Sequence, residues 1–186
     1  MNEIGRVQFL ASGDRTLMCN DYEQHIRYAE YCKAMQDLEL GILGHQSEGD
    51  LPQADDIKIG DSGPVMRASG NVIELAQMVF GFPPKGRGGP VFNFRSEGRD
   101  FSKSNRCLIP ASAFFEFTGK KYPKAKHRFT LTHYPIMAIV GLWREGAGDQ
   151  PASFAMLTAV PGPDGDRSRT LTRPEPSVQV FHLLTS

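Results

Sequence analysis

The residues of this sequence whose types and spacing could do chemistry are concentrated between Val91 and Thr118, in the run VFNFRSEGRDFSKSNRCLIPASAFFEFT. Asn93, Arg95 and Glu97 alternate there with Phe92, Phe94 and Ser96, so on an extended strand three hydrogen-bonding side chains share one face. Later in the run, Ala113, Phe115 and Phe117 line one face of a second strand and leave Glu116 beside Phe114 on the other. A carboxylate among phenylalanines is expected to have a raised pKa, which suits a general acid or base near neutral pH. The competing reading is an ordinary half-buried sheet whose polar face is solvated.

Cys19 is the remaining chemical candidate. Asn20 is a good N-cap with Glu23 at N3, and Ile26, Ala29, Met35 and Leu38 form an apolar stripe, which predicts a helix from Asn20 toward Gly41. Cys19 would then precede a helix N-terminus, whose amides lower a thiol pKa. A lone cysteine is otherwise a small inert hydrophobe.

The elements that must position these groups are mostly strands. Candidates are Ile57–Ile59, Val65–Arg67, Leu75–Phe82, Pro90–Arg95, Arg106–Ile109, Ala113–Thr118, Arg128–Thr132, Ile136–Trp143 and Ser153–Ala159, separated by Gly/Pro-rich turns. This pattern predicts an α+β fold, a curled, mostly antiparallel sheet or barrel with the first helix packed against it. PIMAIVGLW has the apolar continuity of a central strand. Phe80-Gly81-Phe82, running into Pro83-Pro84-Lys85, reads either as an exposed aromatic and basic loop able to stack bases or as a surface turn with core-facing rings.

The chain of 186 residues is one domain by length, with 40% hydrophobic residues to build a core. No apolar run is long enough to span a bilayer and the start lacks a signal-peptide pattern, so no membrane partner and a cytoplasmic location are expected. Three cysteines, Cys19, Cys32 and Cys107, form no C-x-x-C pair, and the five histidines show no ligand spacing, so free thiols and no metal or cofactor are expected. The net charge is zero but unevenly spread: residues 85–128 hold eleven Lys/Arg and three acids, +8, while residues 1–84 hold six basic and thirteen acidic groups, −7. A basic block interleaved with aromatics suits a single-stranded nucleic acid, although a lysine-rich hairpin is more often just solvated.

Taken in order, these motifs resemble the SOS response-associated peptidase (SRAP) family, whose members shield abasic sites in single-stranded DNA. The resemblance rests on Met18-Cys19, the N-x-R-x-E strand of Asn93, Arg95 and Glu97, the block from Arg106 to Phe117, and the segments Ile139–Trp143 and Leu157–Ala159. It implies that Cys19, freed as the first residue, is a nucleophile whose α-amine and thiol close a thiazolidine on the aldehyde of the abasic sugar. By the same resemblance Asn93 orients the cysteine or sugar, Glu116 is the acid/base, and Arg95 holds a phosphate. Phe80 and Phe82 stand where the family stacks bases, and Arg106 and Thr158 are expected as further DNA contacts. The partner implied is single-stranded DNA containing abasic sites, met by a monomer that becomes nucleoid-associated at damage.

The chain also departs from the family pattern. Seventeen residues precede Met18, so either translation begins at Met18 or a leader is cleaved, the first being favoured. The family usually reads Cys-Gly-Arg where this chain has Cys19-Asn20-Asp21. Arg169 stands where the family has a histidine that aids proton transfer and reversal, and His182 lies too far along to replace it. The expected organisation is a leader or mis-assigned start at 1–17, the SRAP domain at 18–162, and a divergent, poorly ordered tail at 163–186. Cross-linking to abasic sites with autocatalytic peptidase activity is the leading expectation. A catalytically impaired single-stranded-DNA-binding relative is the alternative, and a general cysteine peptidase ranks last because no cysteine–histidine pairing is evident.

Overall fold

Period-two patterning dominates the chain and yields ten strands among the residues described by the computed structural model, which are 21–37, 41–96, 98–118, 122–130 and 136–158. In chain order these are β1 (Asp21–Gln24), β2 (Ala54–Lys58), β3 (Ser62–Ser69), β4 (Val72–Phe80), β5 (Asn93–Arg95) and β6 (Arg106–Ala111), then β7 (Ala113–Thr118), β8 (Ala125–Phe129), β9 (Met137–Arg144) and β10 (Ser153–Thr158). Helix α1 (Tyr28–Asp37) follows β1. The strands form a four-stranded sheet, β2-β1-β7-β8, and a six-stranded sheet, β4-β3-β6-β9-β10-β5. β10 also pairs with β4, so the larger sheet closes on itself as a barrel, in agreement with the expected α+β class and curled sheet. β9 lies between β6 and β10, which explains its continuous apolar character.

The barrel wall sorts side chains by alternation. Val65, Cys107, Ile109, Phe154 and Met156 point inward to one core cluster, which Tyr22 of β1 and Phe114 of β7 reach from the smaller sheet. Met66, Leu75 and Leu108 point outward and are covered by Tyr31 and Met35 of α1. Farther round, Leu142 and Ala155 are covered by Phe82, Phe94 and Phe101. Burying each of these large side chains contributes roughly 1.5–3 kcal/mol. The two sheets are joined through a single residue between β6 and β7, Ser112, whose N–H donates to the Glu23 carbonyl at 2.9 Å and whose Oγ accepts from the His25 N–H at 2.6 Å.

The predicted helix start is corrected. Residues 21–24 are a strand paired on both edges, to β2 and to β7, and the helix begins only at Tyr28. The capping carboxylate is Glu30, which accepts from the Arg27 N–H at 3.0 Å, while Glu23 is held by Arg128 of β8. Two-sided strand pairing overrides a local helix signal that is weak by comparison. The argument that a helix N-terminus lowers the Cys19 thiol pKa falls with it. Cys19 itself, Asn20, Glu97, the leader and the tail lie outside the described residues. The strand expected at 128–132 begins earlier, at Ala125.

Candidate active site and nucleic-acid face

β10 positions the first group. Along one edge it pairs in parallel with β4 at Ser153 and Phe154, then with β5 at Met156–Thr158. The exchange occurs at Gly81, whose φ of +100° turns the chain away from β10, and whose N–H still donates to the Phe154 carbonyl at 2.7 Å. The register places Asn93 opposite Met156 and Arg95 opposite Thr158, so Asn93 and Arg95 share the inward side while Phe94 packs outward, as the alternation predicts. The Thr158 hydroxyl donates to Asn93 Oδ1 at 2.8 Å. This occupies the carboxamide oxygen, so Asn93 donates through its amide nitrogen. Thr158 thus orients Asn93. Arg95 is exposed.

β7 positions the second group. Glu116 shares its face with Phe114, the face that meets the barrel core, and is only 5% exposed. Its cross-strand partner on β8 is His127, which is exposed to solvent. Two residues along, Phe114 and Phe129 are also directly opposed, their rings stacked at 5.1 Å and 12°. Such a pair adds about 0.5–1.5 kcal/mol beyond its burial and fixes the hairpin register. Sequence reasoning missed His127. The signal was the hairpin itself, since counting outward from the Thr118–Ala125 pair brings position 127 opposite 116, but a strand placed three residues late loses that register.

The opposite face of the same sheet carries paired charges. The Lys126 ammonium lies 3.3 Å from Asp21 and 3.0 Å from Asp56, and 3.9 Å from the centre of the Phe115 ring. Arg128 clasps Glu23 through two hydrogen bonds, one of 2.9 Å from Nε. That pairing holds the Glu23 carboxyl below its usual range. Burial and the neighbouring Asp56 raise the Asp21 pKa. Burial alone would raise Asp56 too, but its bonds to Lys126 and Lys58 outweigh that and lower it. Lys126 and Arg128 of the basic block therefore neutralise the acidic β1 and β2. Lys85, Arg87, Arg95, Arg99, Lys103 and Lys124 remain exposed as the cations that could meet phosphates.

Three expected nucleic-acid contacts are relocated. Phe80 and Phe82 are 0% and 2% exposed, so they are not an open stacking platform. Phe80 stacks on Phe154 at 5.2 Å inside the barrel, and Phe82 packs on Phe94 at 5.7 Å under the Arg144 guanidinium. The turn at Gly81 directs the two rings to opposite sides of the barrel wall, and the exposed segment runs from Pro83 to Val91. Arg106 shares the outward face of β6 with Leu108, opposite Leu142, away from the side that carries Asn93. Thr158, the fourth such candidate, bonds Asn93 as described.

Of the described cysteines, Cys107 is fully buried, and burial pushes its thiol pKa far up, which suits packing and not nucleophilic attack. Cys32 is half-buried on α1. Among the described residues no group of three or more His, Cys, Asp or Glu is placed to hold a metal, and no helix is long and apolar enough to cross a membrane.

Comparison with known proteins points in one direction. The model of the family described as SOS response associated peptidase (SRAP) matches residues 18–166. Among solved structures, a phage-related protein from Bordetella bronchiseptica is 20% identical at a TM-score of 0.53, covering 76% of this chain and 69% of its own. A second Bordetella bronchiseptica protein is 19% identical at 0.52, covering 90% and 94%, and a protein from Bacteroides thetaiotaomicron is 15% identical at 0.54, covering 76% and 68%. At these identities the likeness is one of fold. No curated protein matches the sequence.

Proposed function

The chain belongs to the SOS response associated peptidase family, and from that premise we propose that it captures abasic sites in single-stranded DNA through a covalent bond to Cys19. The observation that carries the reading is the place of Glu116. It is a buried carboxyl on the core-facing side of β7, the strand paired with β1, and β1 begins two residues after Cys19 in sequence. A buried acid/base and the strand that leads from the nucleophile are thus neighbours.

At the N-terminus of the mature chain, Cys19 carries an amine and a thiol two carbons apart. Its amine becomes available through the family's peptidase-like activity, or through translation from Met18 and loss of that methionine. Opening of the abasic sugar ring exposes an aldehyde: Glu116 takes the proton of the anomeric hydroxyl, and a proton is returned to the ring oxygen, which leaves as a hydroxyl. The amine nitrogen bonds to the aldehyde carbon, and the two amine protons leave with the carbonyl oxygen as water, giving an imine. The sulfur then bonds to the same carbon while the thiol proton passes to nitrogen, closing a thiazolidine. The sum is aldehyde plus aminothiol to thiazolidine plus water, with no oxidant or reductant required. Asn93, oriented by Thr158, donates its amide to the sugar or to the N-terminal residue, and Arg95 takes an adjacent phosphate.

Intact mass of the protein before and after mixing with an oligonucleotide bearing one abasic site tests this. The expected result is a chain starting at Cys19 that gains the mass of the oligonucleotide less one water, and no adduct from Cys19→Ala. An adduct that survives Cys19→Ala overturns the assignment. Salt-sensitive binding without any adduct would make the protein a binding relative that does no chemistry.

A further inference from the structure

We propose that His127 is the proton-relay partner of Glu116, passing protons between the buried carboxyl and solvent; this rests on the cross-linking function proposed above. The pairing comes from the hairpin. Glu116 and His127 are direct cross-strand partners, and in an antiparallel pair such residues project on one face with Cβ atoms about 4.5–5.5 Å apart. The register cannot slip by one residue without breaking the Phe114–Phe129 stack and the Arg128–Glu23 pair together.

Among the described residues, the other charged groups of the two hairpin strands are engaged on the opposite face. Lys126 and Arg128, the neighbours of His127 on β8, project there, where Asp21, Asp56 and Glu23 hold them. Lys58 joins Asp56 on that side, and His25 pairs with Asp55 at 3.1 Å. On the core side β1 presents the Tyr22 phenol, and the barrel presents Phe80, Phe92, Phe154, Met156 and the buried Cys107 thiol. Glu116 is 5% exposed whereas His127 is exposed, so the pair spans the boundary between core and water.

The reaction requires the acid/base to take a proton during ring opening and return one to the departing oxygen. A carboxyl sealed in a core needs a route for both, and imidazole takes and gives protons near neutral pH. In the forward step the proton moves from the sugar hydroxyl to Glu116 and on to an imidazole nitrogen, whose other nitrogen releases one to water. A proton taken up from water by the same route is delivered to the departing ring oxygen. Reversal runs the same path backward.

The test uses His127→Ala and His127→Gln in the full chain. Single-turnover adduct formation and release are expected to slow on the order of tenfold to a hundredfold in both, with imidazole in the buffer restoring His127→Ala but not His127→Gln. A merely structural histidine would show no such rescue. Unchanged rates, or a loss that imidazole does not restore, overturn the relay. A second readout is independent of activity: the His127 ring resonances are expected to shift on Glu116→Gln, and ring resonances that stay in place overturn the pairing. If the wild type forms no adduct, the cross-linking function falls and the relay with it, whereas a failed rescue in an active wild type removes the relay alone.

Discussion

The two faces of the four-stranded sheet are built from the same strands and reach opposite ends. Glu23 and Glu116 are both buried carboxylates, 6% and 5% exposed, on adjacent strands. Glu23 faces a guanidinium, which lowers its pKa. Glu116 stands opposite an imidazole across the hairpin. One carboxylate is therefore committed to holding strands together, and the other is the one proposed above as the acid/base.

The largest effect expected from this contrast is kinetic. Glu116→Gln should slow adduct formation by about 10²–10⁴-fold, the usual range for loss of a general acid/base, while leaving the denaturation midpoint nearly unchanged. Glu23→Gln should do the reverse, keeping the rate and lowering stability. Single-turnover gels and denaturant melts on both variants separate the two. Equal slowing by both would mean that the faces do not differ in role.

The next effect is thermodynamic and has a sign in pH. Because Arg128 holds the Glu23 carboxyl below its ordinary value, the pair stabilises the fold above the unfolded carboxylate range and the contribution is lost as pH falls through the folded pKa. Arg128→Met leaves a buried acceptor unsatisfied and should cost about 1–3 kcal/mol at pH 7. The difference between variant and wild type should shrink on acidification below the ordinary carboxylate pKa of about 4.3. Melts across pH 3–7 would show it, and a difference constant over that range would remove the ion pair from the account.

What the sequence disclosed and what it hid follow from how local each signal is. Alternation placed β5, β7 and β9 and put Asn93 and Arg95 on one face, because period two depends only on neighbours in the chain. It misread residues 21–24, where Asn20 and Glu23 imitate a helix cap but pairing to β2 and β7 wins. It left Phe80 and Phe82 as possible stacking rings because PPKGRGG beside them is exposed, and only the turn at Gly81 and the cover of β10 show both rings buried, on opposite sides of the barrel wall. The pairing of His127 with Glu116 was hidden because it depends on the register of a hairpin whose second strand was placed late, and the Thr158–Asn93 bond because it joins strands distant in sequence.

The smallest effect concerns charge, and it asks whether the outer face takes any part in nucleic-acid binding. The basic block adds to +8 in the sequence, yet Lys126 is shared by two carboxylates and Arg128 is held by a third, so their charge is already answered within the fold. A cation that neutralises a phosphate releases counterions, and each such contact adds about 0.7 to the salt slope for a single strand. Arg95→Ala should therefore weaken affinity for an undamaged single strand severalfold and reduce the slope by about that amount. Lys126→Ala should leave the slope where it is, because removing an internally paired ammonium releases no counterion from DNA, although it exposes Asp21 and Asp56 to each other and lowers stability. Fluorescence anisotropy at several salt concentrations distinguishes these outcomes. A slope that falls equally in both variants would mean that Lys126 trades its carboxylates for phosphate on binding, and the division of labour between the two faces would give way to a single DNA-binding surface wrapped around the sheet edge.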